Sequence, residues 1–192
     1  MSLHADAQRV LTAWSPPDPS QDALREQYLA HLEARQDAMW RSCHPDHLTA
    51  SAIVIAEDAS AVALTLHAKL GRWLQFGGHC EPEDTTVAGA AERETREESG
   101  IDSLRLDPTP LLLSRHEVPC GPERPAHHLD VQFLAVAPAE APLAASEEST
   151  EVRWFALDDL PADTDATVRA LSAAAARQLR DSPRRVPSSR NG

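Results

Sequence analysis

The 192-residue sequence is short of aromatic residues, cysteine, glycine and lysine, and it has no long apolar run. With aromatics at 4%, a core must be packed mainly from Ala, Leu and Val. Three cysteines (Cys43, Cys80, Cys120) make no disulfide framework and suit a reducing compartment, so a cytoplasmic protein is expected. No apolar stretch approaches ~18 residues, and the N-terminus lacks the apolar core of a signal peptide, so neither a membrane span nor export is expected. One lysine (Lys69) stands against 17 arginines, and the net charge is −12. That balance is poor for gripping a nucleic-acid polymer or an anionic membrane. A small phosphorylated ligand is still compatible with it, provided cations bridge the two.

Hydrophobic content of 42% is enough for one domain with an appendage. Residues 3–14 carry Leu3, Ala7, Val10, Leu11 and Trp14 at helical spacing, and Pro16, Pro17 and Pro19 then break the chain. Ser20–Arg41 reads as a second helix, capped by Ser20, with an apolar stripe of Leu24, Tyr28, Leu32 and Met39. That stripe packs on the domain by default, and it also suits a homodimer contact. Strands are expected at Ser51–Glu57 and Ala61–His67 as a hairpin, then at Leu104–Leu106, Leu111–Val118, His127–Ala137 and Glu151–Ala156. Alternation within His127–Ala137 puts His128 and Asp130 on one face, with Leu129, Val131 and Phe133 on the other. A closing helix spans Asp163–Arg180, and Asp181–Gly192 reads as a fraying tail. The expected division is a helical extension at 1–47, a domain at 48–180 and the tail. Strands, one central helix, more strands and a closing helix indicate α+β architecture.

Chemistry concentrates in Gly77–Ile101, GGHCEPEDTTVAGAAERETREESGI, which holds seven acids and two arginines. A helix is expected from about Thr86 to Ser99, stopped by Gly100. Glu94, Glu97 and Glu98 then share one face at i, i+3 and i+4. Two carboxylates ~5 Å apart repel by roughly 3 kcal/mol at an effective dielectric of ~20, and the last helical turn disfavours acids further. Arg93 can pair with Glu97, and Arg96 can relieve part of the remainder. A hard divalent cation resolves the conflict, because Mg²⁺ takes carboxylate and phosphate oxygens.

This stretch resembles the Nudix box: a glycine, five residues, a glutamate, seven residues, then R-E-U-x-E-E-x-G-U, where U is bulky and aliphatic. Gly78 fits the glycine, and Arg93, Glu94, Glu97, Glu98, Gly100 and Ile101 fit the second half. The match departs in three ways. Asp84 stands where the first glutamate is counted, one extra residue separates it from Arg93, and Thr95 replaces an aliphatic residue. Asp84 either takes the role of the missing glutamate or caps the helix.

The resemblance implies an α/β/α sandwich around a mixed sheet over about residues 48–180. It implies hydrolysis of a diphosphate linkage in a nucleoside diphosphate-X compound, through a water activated by Mg²⁺ or Mn²⁺. It assigns the metal to Glu94, Glu97, Glu98 and the Gly78 carbonyl, and catalysis to Arg93, Glu94 and Glu97, with Arg93 orienting the acids. Glu147, Glu148 and Glu151 are open candidates for a general base, with Glu117 behind them. Arg72, Trp73, Glu81 and Glu151 are expected around the substrate; Trp73 and Phe76 alternatively pack beneath the glycines. A ligand-sensing module of the same fold is the alternative, and an isoprenoid-diphosphate isomerase using Cys80 is a weaker one.

Cys43-His44-x-x-His47, with His79 or Cys80 added, invites a zinc reading. The paired spacing of a structural zinc site is absent, however, and Pro45-Asp46 reads as a turn. His116, His127 and His128 are read as surface or hydrogen-bonded residues, with contact to substrate as the alternative.

Overall fold

The computed structural model describes residues 1–118, 122–146 and 149–181. In chain order the elements are α1 (Leu3–Ala13), α2 (Pro19–Ala34), β1 (His47–Ala56), β2 (Ala61–His67), β3 (Arg72–Leu74) and β4 (Phe76–His79). There follow α3 (Val87–Ser99), β5 (Arg105–Leu106), β6 (Leu112–Val118), β7 (Ala126–Ala137), β8 (Ser149–Ala156) and α4 (Ala166–Asp181). No described helix is long and apolar enough to cross a membrane.

The sheet is built on one parallel pair. β1 runs beside β7 over its whole length, from His47 opposite His128 to Ala56 opposite Ala137. Both strands lie inside the sheet and are almost fully buried, which is why they are long and rich in Ala, Val, Ile and Leu. The other edge of β1 changes partner along its length. It pairs with β2 at Val54 and Ile55, and with β4 from Thr49 to Ala52. The outer edge of β7 likewise changes partner, from β5 at Ala135 and Val136 to β6 from Ala126 to Gln132. All pairings except β1–β7 are antiparallel, so the sheet is mixed.

Helices cover both faces. Leu48, Ala50, Ala52 and Val54 of β1 join Leu129, Val131 and Phe133 of β7 in a cluster with α1, α2 and α3. Ile53, Ile55 and Leu134 face the other way, onto Val168, Leu171 and Ala175 of α4. This is the α+β architecture that the order of elements predicts and the sandwich around a mixed sheet that the resemblance implies.

Local chemistry moves several boundaries. α2 begins at Pro19, not Ser20, because the Asp18 carboxylate accepts from the backbone N–H groups of Ser20 and Gln21. It ends at Ala34, seven residues before the expected Arg41. Tyr28, Leu32 and Met39 are all buried in this chain's own core, so the stripe that suited a dimer contact is used internally. β1 starts at His47, four residues before the expected Ser51, since pairing with β7 extends it through polar positions. Gly77 and Gly78 lie in strand β4. Asp181, expected in the tail, is the last residue of α4; Cys120, Glu147, Glu148 and residues 182–192, the rest of the expected tail, lie outside the described residues.

Candidate functional site

The acidic helix and the glycine strand are cut to fit each other. Thr86 caps α3, its hydroxyl accepting from the Gly89 N–H at 3.0 Å. Gly100 ends the helix in the left-handed conformation at φ 71°. Buried Val87, Ala90, Ala91, Thr95 and Ser99 give α3 a face of small side chains, which lets it lie close to β4 and β1. Thr95, in place of an aliphatic residue, is fully buried, and its hydroxyl is satisfied by the Ala91 carbonyl at 2.6 Å.

Close approach decides the glycines. A Cβ on Gly78 would stand 2.8 Å from Oε2 of Glu94, so the absent side chain is the space the carboxylate occupies. A Cβ on Gly77 would stand 2.5 Å from Cα of Ser51 in β1. The Gly77 N–H donates to Oε2 of Glu98 at 2.8 Å.

Arg93 organises the acids. Its Nη1 donates to Glu94 and to Glu97, both at 3.0 Å. Its Nε and Nη2 grip Asp84 at 3.2 and 3.0 Å, and Nη2 also reaches the His79 carbonyl at 3.1 Å. Asp84 therefore neither caps α3 nor faces solvent. It closes its own loop by accepting from the Glu81 N–H at 2.8 Å, and it anchors Arg93. Arg96 points away from the cluster, pairing with Glu92 and the carbonyls of Asp102 and Leu104. The repulsion read from the sequence is thus met by separate partners: Arg93 for Glu94 and Glu97, and a backbone N–H for Glu98.

Burial pushes the Glu94 carboxyl up from its ordinary value, with Arg93 opposing. Burial also pushes Asp84 up, but its hydrogen bonds to Arg93 and to the Glu81 N–H outweigh that and leave it lowered. The Arg93 guanidinium is held charged, chiefly by its hydrogen bonds to Asp84. Glu97 is 59% exposed and is the most accessible of the Arg93-bound acids. Burial pushes the Cys80 thiol up to about 12, which leaves it inert as a nucleophile or proton shuttle.

The remaining expected site residues belong to other elements and loops. Trp73 is 6% exposed, with its ring edge-on to Phe155 in the α4-side core. Burial of the ring suits the packing alternative for Trp73 more than contact with a substrate. Arg72 is exposed on β3. Glu151 is on β8, in an ion pair with Arg153. Glu81 is exposed in the loop before α3, beside Asp84. Glu117 is exposed on β6.

Two polar groups on the α4 face of the sheet are assembled by register alone. Asp130 is buried and accepts from Thr49 at 3.0 Å, Ser51 at 2.6 Å and Gln132 at 3.1 Å. Next to it, the rings of His47, His79 and His128 pack with centroids 4.9–5.1 Å apart. Alternation on β7 places His128 beside Asp130, but only the β1–β7 and β1–β4 pairings bring in His47 and His79.

Comparison with known proteins supports the same conclusion. The NUDIX domain family model matches residues 45–177. A comparison with curated proteins finds no match. Among solved structures, a NUDIX-family hydrolase from Clostridium perfringens is 21% identical, with 69% of this chain and 97% of that chain covered and a TM-score of 0.58. An Ap4A hydrolase from C. elegans is 20% identical, at 69% and 97% coverage and a TM-score of 0.58. The E. coli dihydroneopterin triphosphate pyrophosphohydrolase is 19% identical, at 68% and 95% coverage and a TM-score of 0.58. At these identities the solved structures share the fold, and the family model spans most of the chain: the protein belongs to the NUDIX domain family.

Proposed function

We propose that this protein is a hydrolase that cleaves a diphosphate linkage in a nucleoside diphosphate-X type substrate, with Mg²⁺ or Mn²⁺ as cofactor. The observation that carries this reading is the Glu94 carboxylate seated in the space left by the missing Gly78 side chain, with Arg93 bridging it to Glu97. The names of two proteins of the same fold, an Ap4A hydrolase and a triphosphate pyrophosphohydrolase, support the substrate class.

The residues fit a hard cation. Glu94 carries a carboxyl whose charge is disfavoured by burial, and a cation offsets that cost. Glu94, Glu97, Glu98 and the Gly78 carbonyl are the proposed ligands. When bound, the metal neutralises the diphosphate and lowers the pKa of a coordinated water. The chain's own part is positioning. Gly78 keeps the place open for Glu94, and the Gly77 N–H holds Oε2 of Glu98. Arg93, fixed by Asp84 and the His79 carbonyl, holds Glu94 and Glu97 in register. The proposed base for the attacking water is Glu97, the most exposed of the Arg93-bound acids, with Glu151 as the alternative among the described residues. Arg72 and Glu81 are proposed to contact the substrate.

The test is phosphate or phosphomonoester release from a panel of diphosphate-linked nucleotides with Mg²⁺, wild type beside Glu97→Gln and Glu98→Gln. Turnover of one class, cut at least about 10²-fold in both variants, is expected; that is a barrier rise of about 2.7 kcal/mol. Nucleotide affinity without turnover, unchanged in both variants, would move the protein to the sensing-module reading.

A further inference from the structure

The three histidines on the α4 face of the sheet take no part in the chemistry above. Gly78 and His79 are consecutive in β4, so their side-chain positions point to opposite faces. Gly78 faces α3 and Glu94, and His79 therefore faces the other way. There it joins His47 of β1 and His128 of β7, with one ligating atom from each ring lying within 4.8 Å of the others.

We propose that His47, His79 and His128 form a binding site for a borderline divalent transition metal of the zinc class, on the sheet face opposite the acidic helix.

The argument rests on the disposition of the ring nitrogens. His47 is 1% exposed, yet its Nε2 has no hydrogen-bond partner, and neither has the buried Nε2 of His79. Such atoms cost free energy unless something binds them. The second nitrogen of His47, Nδ1, lies 3.3 Å from the Cys43 carbonyl. A carbonyl only accepts, so Nδ1 carries the proton and Nε2 presents its lone pair. This carbonyl–imidazole arrangement is how proteins fix the tautomer of a metal-ligating histidine.

Imidazole suits zinc and ligates in its neutral form. A tetrahedral ion with bonds of about 2.0–2.1 Å needs nitrogens ~3.4 Å apart, so the rings must close by roughly 1.5 Å. That closure would have to come from His79 and His128, which are only partly buried, since His47 is fully buried. Three protein ligands leave one position open to water or an anion. The CHPDH segment thus contributes His47 alone; its other ligands come from strands far away in sequence.

The experiment uses the full chain, stripped of metal by a chelator. Zinc content is measured after loading and desalting, and Co²⁺ is added as a spectroscopic probe. About one zinc per chain is expected, with the intense visible bands of a four-coordinate Co²⁺ ion. Hard oxygen ligands give an octahedral ion and only weak bands, so the acidic helix does not imitate this signal. His79→Gln and His128→Gln should each weaken binding at least about 10²-fold, while Glu97→Gln leaves it intact. A variant-free check is the imidazole ¹⁵N spectrum of the wild type, in which zinc should move three of the nine histidines. No zinc retention and no Co²⁺ bands in the wild type, or unchanged bands in both histidine variants, would overturn the site. Neither result bears on diphosphate hydrolysis, which the nucleotide panel decides separately.

Discussion

Gly77 and Gly78 are adjacent in β4 but are required for different reasons, and substitution should separate them. In Gly78→Ala the new Cβ meets the mobile end of Glu94, which can swing away. Folding should change by less than about 1 kcal/mol, while Mg²⁺ affinity falls at least about 10-fold as Glu94 leaves its place. In Gly77→Ala the new Cβ meets the Ser51 backbone of a fully buried strand, which cannot move. That variant should lose about 2–3 kcal/mol in a urea titration. A second residue-scale prediction concerns pH. Burial lowers His79 to about 4 and His128 to about 3 from the usual 6.5, and lowers His47 in the same direction. In the window from pH 6.5 down to about 4, the unfolded chain binds protons that the folded chain refuses. Stability is therefore lost as pH falls through that window. In the metal-free protein the melting temperature should fall between pH 7 and 5. His79→Gln paired with His128→Gln should flatten that slope; an unflattened slope would place its source elsewhere.

At the scale of elements, α1 and α3 are joined through a single carboxylate. Asp6 of α1 is buried, and its Oδ2 accepts from the Val87 N–H at 2.9 Å, at the first residue of α3. Its other oxygen holds Arg9 at 2.6 Å. An acid at a helix N-terminus also complements the positive end of the dipole. Asp6→Ala leaves a buried N–H without its acceptor and should cost about 1–3 kcal/mol of stability by denaturant midpoint. A cost no larger than that of an exposed surface substitution would show that water replaces the carboxylate. Gln21 of α2 works similarly at a sheet edge. Its amide bonds both the N–H and the carbonyl of Leu113 in β6, at 2.6 and 3.1 Å, acting as a one-residue neighbouring strand.

For the whole molecule, these links make residues 1–47 part of the folded unit rather than an attachment beside it. Leu3, Leu11, Tyr28, Leu32 and Met39 are buried in the same cluster as Phe133 and Val87. Removing the first 40 residues would uncover that cluster and strip Asp6 from α3. We expect the remainder to lose a cooperative thermal transition, as seen by calorimetry and near-ultraviolet circular dichroism. A truncated protein that melted cooperatively at the wild-type temperature would make the helices dispensable for folding.

The sequence by itself determined the features governed by near neighbours. Alternation located most of the strands, helical spacing put Glu94, Glu97 and Glu98 on one face, and Gly100 ended the helix where the chain must turn left-handed. The family resemblance was carried by residues within one stretch of 25, so it too was legible. Tertiary structure decided whatever depends on strand register and on which surfaces meet. Asp84 binds Arg93 because the loop folds back over nine positions. Trp73 is withdrawn into the core because β3 lies against β8 residue Phe155 across β2. His47, His79 and His128 are separated by 32 and 49 residues in sequence, and only the pairing of β1 with β4 and β7 puts their rings together. Local spacing carries no information about such pairings, because each is chosen by the burial of a whole strand.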